Sequence, residues 1–286
     1  MLWLPGEPYT VDAVEEVVRN LRASLNYSVV AAVPVASDVP GVVDILVVTR
    51  DTWSLRGNFN LAVSDGVVDQ LLFVPSENNF LGLHKRIGAT FLWEQDTVSI
   101  GPMYADPRVG GSRLTLDQDL QFIINHDTGE LEGTSNLTQL ELPLYSLRSV
   151  WGFRLAEAHL INIDRTFIGS RLRTYDNPST DAIEEIPFIV DQTILDVVAE
   201  GYFSQGYAFK RDLVFGYGFE EREYRLESPS ASEADRQAFA EEVLPRDQRN
   251  SFVSVSHDWY QARYETIQNY QTYAFTETYR TGPRIF

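Results

Sequence analysis

Arg50-Asp51-Thr52-Trp53, followed by Leu55-Arg56-Gly57-Asn58-Phe59-Asn60-Leu61-Ala62-Val63, is the stretch that decides the fold. In the second run Leu55, Gly57, Phe59, Leu61 and Val63 are apolar or small, whereas Arg56, Asn58 and Asn60 are polar. A strand with that alternation has one greasy and one wet face. The same segment continues to residue 112 through two turn clusters, Asn78-Asn79-Phe80-Leu81-Gly82 and Asp106-Pro107-Arg108-Val109-Gly110-Gly111. Alternating runs broken by such clusters predict antiparallel strands joined by tight connections.

The pattern spreads outward from there. Leu114, Leu116, Leu120, Phe122 and Ile124 alternate with Arg113, Asp117, Asp119 and Gln121, and Leu213, Phe215, Tyr217 and Phe219 alternate with Asp212, Gly216, Gly218 and Glu220. About eleven strands are expected, at 54–63, 67–75, 85–93, 98–105, 113–124, 134–144, 150–161, 193–203, 207–226, 250–264 and 269–280. Most reach the roughly 9 to 11 residues that a tilted membrane-crossing strand needs, where strands of soluble sandwiches run nearer about 5 or 6. Aromatic residues near strand ends, among them Trp53, Trp93, Tyr104, Trp151 and Trp259, suit an interfacial girdle. The expected fold is mainly β: an antiparallel up-and-down transmembrane β-barrel, partial and open, over residues 53–286. Its two long connections, 162–192 and 227–249, are separated by two strands and therefore leave the sheet at the same end. Within the second, Ser232 to Leu244 has helical composition, with a Ser232 to Asp235 capping pattern and a stop at Pro245.

Composition removes whole classes of function. Acidic residues outnumber basic ones 41 to 23, for a net charge of -18 over 286 residues, so there is no basic footprint for nucleic acid. Cysteine is absent, which excludes disulfides, thiolate nucleophiles and cysteine-ligated metals. No stretch approaches the roughly 18 apolar residues of a spanning helix, so a membrane crossing would be made by strands. The four histidines, His84, His126, His159 and His257, have no metal-binding spacing and are expected at turns or on a pore wall. Gly216-Tyr217-Gly218 lacks the helix that a dinucleotide loop requires, and Asp117 and Asp119 read as the polar face of one strand rather than an acid–base pair. No catalytic residue, metal ligand or cofactor is expected.

Ahead of the strands, Val11, Val14, Val18, Leu21 and Leu25 form one stripe of a helix over 10–25, with Thr10 as a plausible N-cap. Strands at 27–35 and 42–50 follow, with Asp38-Val39-Pro40-Gly41 turning between them. Residues 1–52 are therefore a small α+β unit with a thin core.

This unit, ending in Val43-Asp44-Ile45-Leu46-Val47-Val48-Thr49-Arg50-Asp51, resembles the second half of a polypeptide-transport-associated (POTRA) domain. Gly57-Asn58-Phe59-Asn60, Asn78-Asn79-Phe80-Leu81-Gly82 and Tyr104-Ala105-Asp106-Pro107-Arg108 resemble the first strands and turns of the bacterial surface antigen superfamily, the BamA-like outer-membrane assembly factors. The resemblance implies a chain in the outer membrane of a Gram-negative bacterium, its first unit in the periplasm, that inserts or exports β-rich proteins. Implied partners are unfolded outer-membrane or secreted client polypeptides, outer-membrane lipids and accessory assembly subunits. Family barrels have roughly sixteen strands, so this chain is expected to be a piece of one, and the family's Val-Arg-Gly-Phe motif is not found in it. Implied also is a pairing edge for client strands on the first barrel strand, Leu55, Arg56, Gly57, Asn58, Phe59, Asn60 and Leu61. A passive outer-membrane pore, or a soluble β-rich adhesion or binding protein, are the other functions compatible with the strand pattern.

Overall fold

The computed structural model describes residues 6–23, 26–64, 66–180, 185–228, 231–268 and 276–286. Helix α1 (Val11–Ala23) is followed by β1 (Tyr27–Ala36) and β2 (Val43–Asp51), which pair antiparallel as a separate two-stranded sheet. Among the described residues, Val14 on the helix and Val30 on β1 are its buried apolar residues. The helix ends two residues before Leu25, which lies outside the described residues together with Ser24.

Then come β3 (Leu55–Ser64), β4 (Val67–Phe80), β5 (Lys85–Glu94), β6 (Thr97–Asp106), β7 (Thr115–Asn125), β8 (Leu131–Leu142) and β9 (Trp151–Arg165). Short pairs β10 (Phe167–Ile168) with β11 (Arg171–Leu172), and β12 (Thr174–Tyr175) with β13 (Ile186–Pro187), occupy the first long connection. After β14 (Ile189–Gln205) and β15 (Phe209–Leu226) the second carries α2 (Glu233–Glu242), and the chain ends with β16 (Gln248–Gln261), β17 (Tyr264–Gln268), β18 (Thr276–Arg280) and β19 (Arg284–Ile285). One antiparallel sheet of 11 strands dominates, in the order β19-β16-β15-β14-β9-β8-β7-β6-β5-β4-β3. It is a meander whose end strands, β3 and β19, do not pair with each other among the described residues.

The eleventh strand differs from the sequence expectation. Of 269–280, residues 269–275 lie outside the described residues, and β18 pairs with β17 in a hairpin of its own rather than with the large sheet. The sheet's last member is instead β19, which meets β16 through Trp259↔Ile285 and Tyr260↔Arg284. The expected strand 250–264 is correspondingly split between β16 and β17. Both long connections are shorter than the sequence suggests, because β9, β14 and β16 each extend past the point where clean alternation stops; backbone pairing continues where the side chains no longer advertise it.

Burial across the sheet is inverted relative to a soluble protein. Directly opposed residues share a face, and one row runs Phe59↔Phe73↔Phe91↔Ile100↔Phe122 across β3 to β7. Another runs Phe153↔Gly201↔Phe215↔Val255 across β9 to β16. All members of these rows but the half-buried Phe91 and Phe153 are exposed, Phe59 at 66% and Val255 at 63%, whereas Thr90 and Ser99 on the opposite face are 5% exposed. Ile123 is the one large apolar residue of the 11-stranded sheet that is fully buried among the described residues. A soluble chain of this length buries most of its apolar surface; this sheet hides its polar side.

That hidden side is a network of charges and small residues. Arg154 donates to Glu200 at 2.8 Å, Arg222 meets Asp196 at 2.7 Å, and Arg86 reaches Asp117 at 3.5 Å. Gly216 and Gly218 lie on it too: a Cβ at Gly218 would run into the Phe252 ring, and one at Gly216 into the Ser254 hydroxyl. Their spacing, which superficially matches a nucleotide loop, is a packing requirement of this polar face.

The two long connections meet at one end of the sheet in a small cap. Ile186, Phe188, Ala231 and Phe239 form its buried centre, with Tyr175 and Phe188 edge-on to Phe239 at ring distances of 5.4 and 5.2 Å. Ser232 caps α2 in a reciprocal box with Asp235, as the sequence predicts, and the buried Asn177 donates to Asp235 at 2.9 Å. Burial and a hydrogen bond to Glu242 push the Tyr175 phenol up to about 12.

Candidate functional site

The site is built where the amino-terminal unit meets the sheet. Thr52 N–H donates to Asn26 O at 3.0 Å, which closes the unit, and Asn78 N–H donates to Ser54 O at 2.9 Å, which starts the sheet. Only Trp53 separates the two ties, and its side chain is 79% exposed. The Asn78-Asn79-Phe80-Leu81-Gly82 cluster holds the turn after β4: Asn79 Oδ1 accepts from His84 N–H at 2.9 Å, and Leu81 and His84 both adopt left-handed backbone with φ of 55° and 57°. That conformation aims the His84 ring at the amino-terminal unit, with Nδ1 bonded to the Asn26 amide at 3.0 Å and Nε2 to the Tyr27 hydroxyl at 2.8 Å. Burial, then Asp51, raises the Tyr27 phenol.

Asp106-Pro107-Arg108 fixes the next turn on this side in a similar way. One Asp106 oxygen accepts from Arg108 N–H at 2.9 Å and the other from Lys85 at 2.9 Å. Between these turns and the amino-terminal unit lies a cleft of about 980 Å³, lined by Asn26, Tyr27, His84, Lys85, Arg108 and Asp117 among others.

A second tie is made by two buried charges. Glu16 on α1 is 3% exposed and accepts from Leu147 N–H at 2.5 Å, while Lys210 at the start of β15 is 2% exposed and donates to Leu147 O at 2.9 Å. One residue of the turn between β8 and β9 is thus gripped from both sides. Alternation marks Lys210 as lining of a water-filled face; its register is as expected, but the 147–149 turn closes over it. Arg19 stacks on Tyr264 at 4.1 Å and Asn20 donates to Tyr145 O at 2.8 Å, so the same helix also reaches β17 and the 145–149 turn. Burial, then Asp12 and Glu16, raises the Tyr207 phenol beside it. Replacing Glu16 with leucine is expected to leave the Leu147 N–H buried without its acceptor, at about 1–3 kcal/mol. Limited proteolysis checks this: cleavage in 52–54 should quicken roughly 10- to 100-fold, with Glu16→Gln, which keeps an acceptor, much less affected.

The residues of the expected pairing edge lie together on one strand. Leu55, Arg56, Gly57, Asn58, Phe59, Asn60 and Leu61 all lie on β3, which is bonded to β4 from Leu55↔Glu77 to Ser64↔Val67 and has no strand on its other side among the described residues. Leu55, Gly57, Phe59 and Leu61 face the exposed apolar side; Arg56, Asn58 and Asn60 face inward with Asp117, Asp119 and Asp212. His84 and His126 sit at turns. His159 and His257 do not line the inner face: their register places them outward, with Leu155 and Trp259 respectively. Among the described residues no group of three or more His, Asp or Glu is arranged to hold a metal, and no helix is long and apolar enough to cross a membrane.

No family model matches this chain, and no curated protein matches it. Among solved structures, the crystal structure of BamA from Haemophilus ducreyi lacking POTRA domains 1–3 is similar to it with a TM-score of 0.43 and 10% identity, over 99% of this chain and 80% of that one. Strand order and burial define the fold independently of that likeness.

Proposed function

We propose that this chain is part of an outer-membrane β-barrel factor that inserts or exports β-rich client polypeptides, with its helix–hairpin unit in the periplasm. The inverted burial carries the membrane half of this reading: exposed aromatic rows are stable in hydrocarbon, and a polar, ion-paired inner face is stable when it encloses water. The open edge of β3 carries the other half. An edge strand presents unpaired backbone groups along its length, and an extended client can add to it as one more strand before entering the bilayer. The amino-terminal unit, tied to the turns beneath that edge, would present clients to it, and outer-membrane lipids and accessory assembly subunits are its expected surroundings.

The test is chemical. Cysteines placed singly at positions 55–61 should crosslink to a nascent outer-membrane client, most strongly at the inward positions Asn58 and Asn60; no adduct at any position would sink the reading. The polar inner face also suits a passive pore. Steady conductance in planar bilayers, with client assembly undisturbed when the protein is depleted, would favour that function instead.

A further inference from the structure

The chain carries a net charge of -18, yet the cleft between the amino-terminal unit and the sheet turns is lined by three cations, Lys85, Arg86 and Arg108, against two carboxylates, Asp106 and Asp117. These charges are not matched one for one. Lys85 and Asp106 close a pair at 2.9 Å. Arg86 touches Asp117 only at 3.5 Å, the outer limit of a hydrogen bond, and its Nε is enclosed without a partner. The Arg108 guanidinium has neither an ion pair nor a hydrogen bond among the described residues. Its backbone is nevertheless fixed, because Asp106 accepts from the Arg108 N–H, and Gly110 and Gly111 turn the chain with left-handed φ of 61° and 77°. Two guanidiniums with donors to spare thus line one cavity, and a planar anion with two oxygens is the group that such donors hold best.

We propose that this cleft binds a carboxylate presented by an extended polypeptide. The proposal rests on strand pairing at β3 as read above, and strand direction connects the two. Every pairing in the large sheet is antiparallel. A strand added to β3 in the same sense runs toward the amino-terminal unit and ends beside Leu55. That is the end where the cleft lies: Asn78, whose N–H is bonded to Ser54 O, is one of its lining residues. Residues following the added strand enter the cleft, and a carboxylate among them, the chain terminus or an acidic side chain, meets Arg86 and Arg108. The Lys85–Asp106 pair stays closed, and Arg86 gives up at most its long contact to Asp117.

Fluorescent peptides as long as β3, alternating valine and threonine, test this against the full chain in detergent micelles. They end in a free carboxylate, in an amide, or in an amide preceded by glutamate. A carboxylate-bearing form should bind about tenfold tighter than the plain amide, because only it makes charge-assisted bonds to the guanidiniums. Which form does so names the terminus or the side chain as the source. Arg108→Gln and Arg86→Gln should each erase the advantage, and Arg108 has no side-chain partner to lose, so the fold is undisturbed there. Arg148→Gln, on the turn between β8 and β9, removes a cation outside the cleft and should keep it. Equal binding of the acid and amide forms overturns the proposal and leaves pairing at β3 standing. So does an advantage that survives either cleft replacement or falls equally with Arg148→Gln. Failure of every peptide to bind removes both readings.

Discussion

Phe215→Arg should destabilise the folded, membrane-embedded sheet by about 2–4 kcal/mol, the cost of an arginine on the lipid face of a barrel near the bilayer centre. Phe215 projects from the middle of β15 beside Val255 and Gly201, with Leu213 and Phe219 nearby on the same face, and is 54% exposed. Ser256→Arg, on the neighbouring strand but the opposite face, provides the contrast: its guanidinium would enter the polar interior near Asp212 and Asp258, and the expected cost is small. Urea titration of the folded fraction in lipid vesicles measures both. The comparison separates membrane wall from soluble surface, because in water an arginine at a half-exposed phenylalanine is nearly neutral. Equal, small effects at the two positions would remove the membrane reading and with it every function that depends on a bilayer.

Phe239→Ala should cost the cap about 3–5 kcal/mol, the usual penalty for emptying a fully buried aromatic site. Phe239 is 0% exposed and is the residue on which Tyr175 and Phe188 converge from the other connection. The cap has few other apolar residues to absorb the loss, so the expected outcome is local melting of α2 and of the β12–β13 pair, with the sheet beneath intact. Amide exchange reads this directly: protection should vanish in α2 while β14 and β15 keep theirs. Loss of protection in all three would mean that the cap and the sheet fold as one unit.

The two experiments probe levels that the sequence reveals unequally. Alternation at Leu55–Val63 or Leu213–Phe219 follows from the two-residue period of a strand, a local property, and it assigns both the strands and their faces correctly. The helix at Glu233–Glu242 is equally legible, because its capping box is complete within four residues. So is the parity that sends both long connections to one end, since it depends only on counting strands. Where local signals fade, so does the reading. Residues 269–280 are expected as one strand of the barrel, yet their described part, β18, pairs with β17, because nothing in the residues themselves states which neighbour a strand will take.

Glu16 and Lys210 are the clearest case of what sequence cannot supply. One lies in the first turns of an amphipathic helix and the other on the wet face of a strand, and each position predicts a solvated charge. They become buried partners of a single residue, Leu147, only because the chain folds back through nearly two hundred residues to bring α1, the 145–149 turn and β15 together. By itself the sequence determined an all-antiparallel, two-faced sheet with an α+β unit before it, because period and turn chemistry are local. The tertiary structure decided which strands are neighbours, which edges stay open and which charges are hidden, because those depend on contacts between residues far apart in the chain.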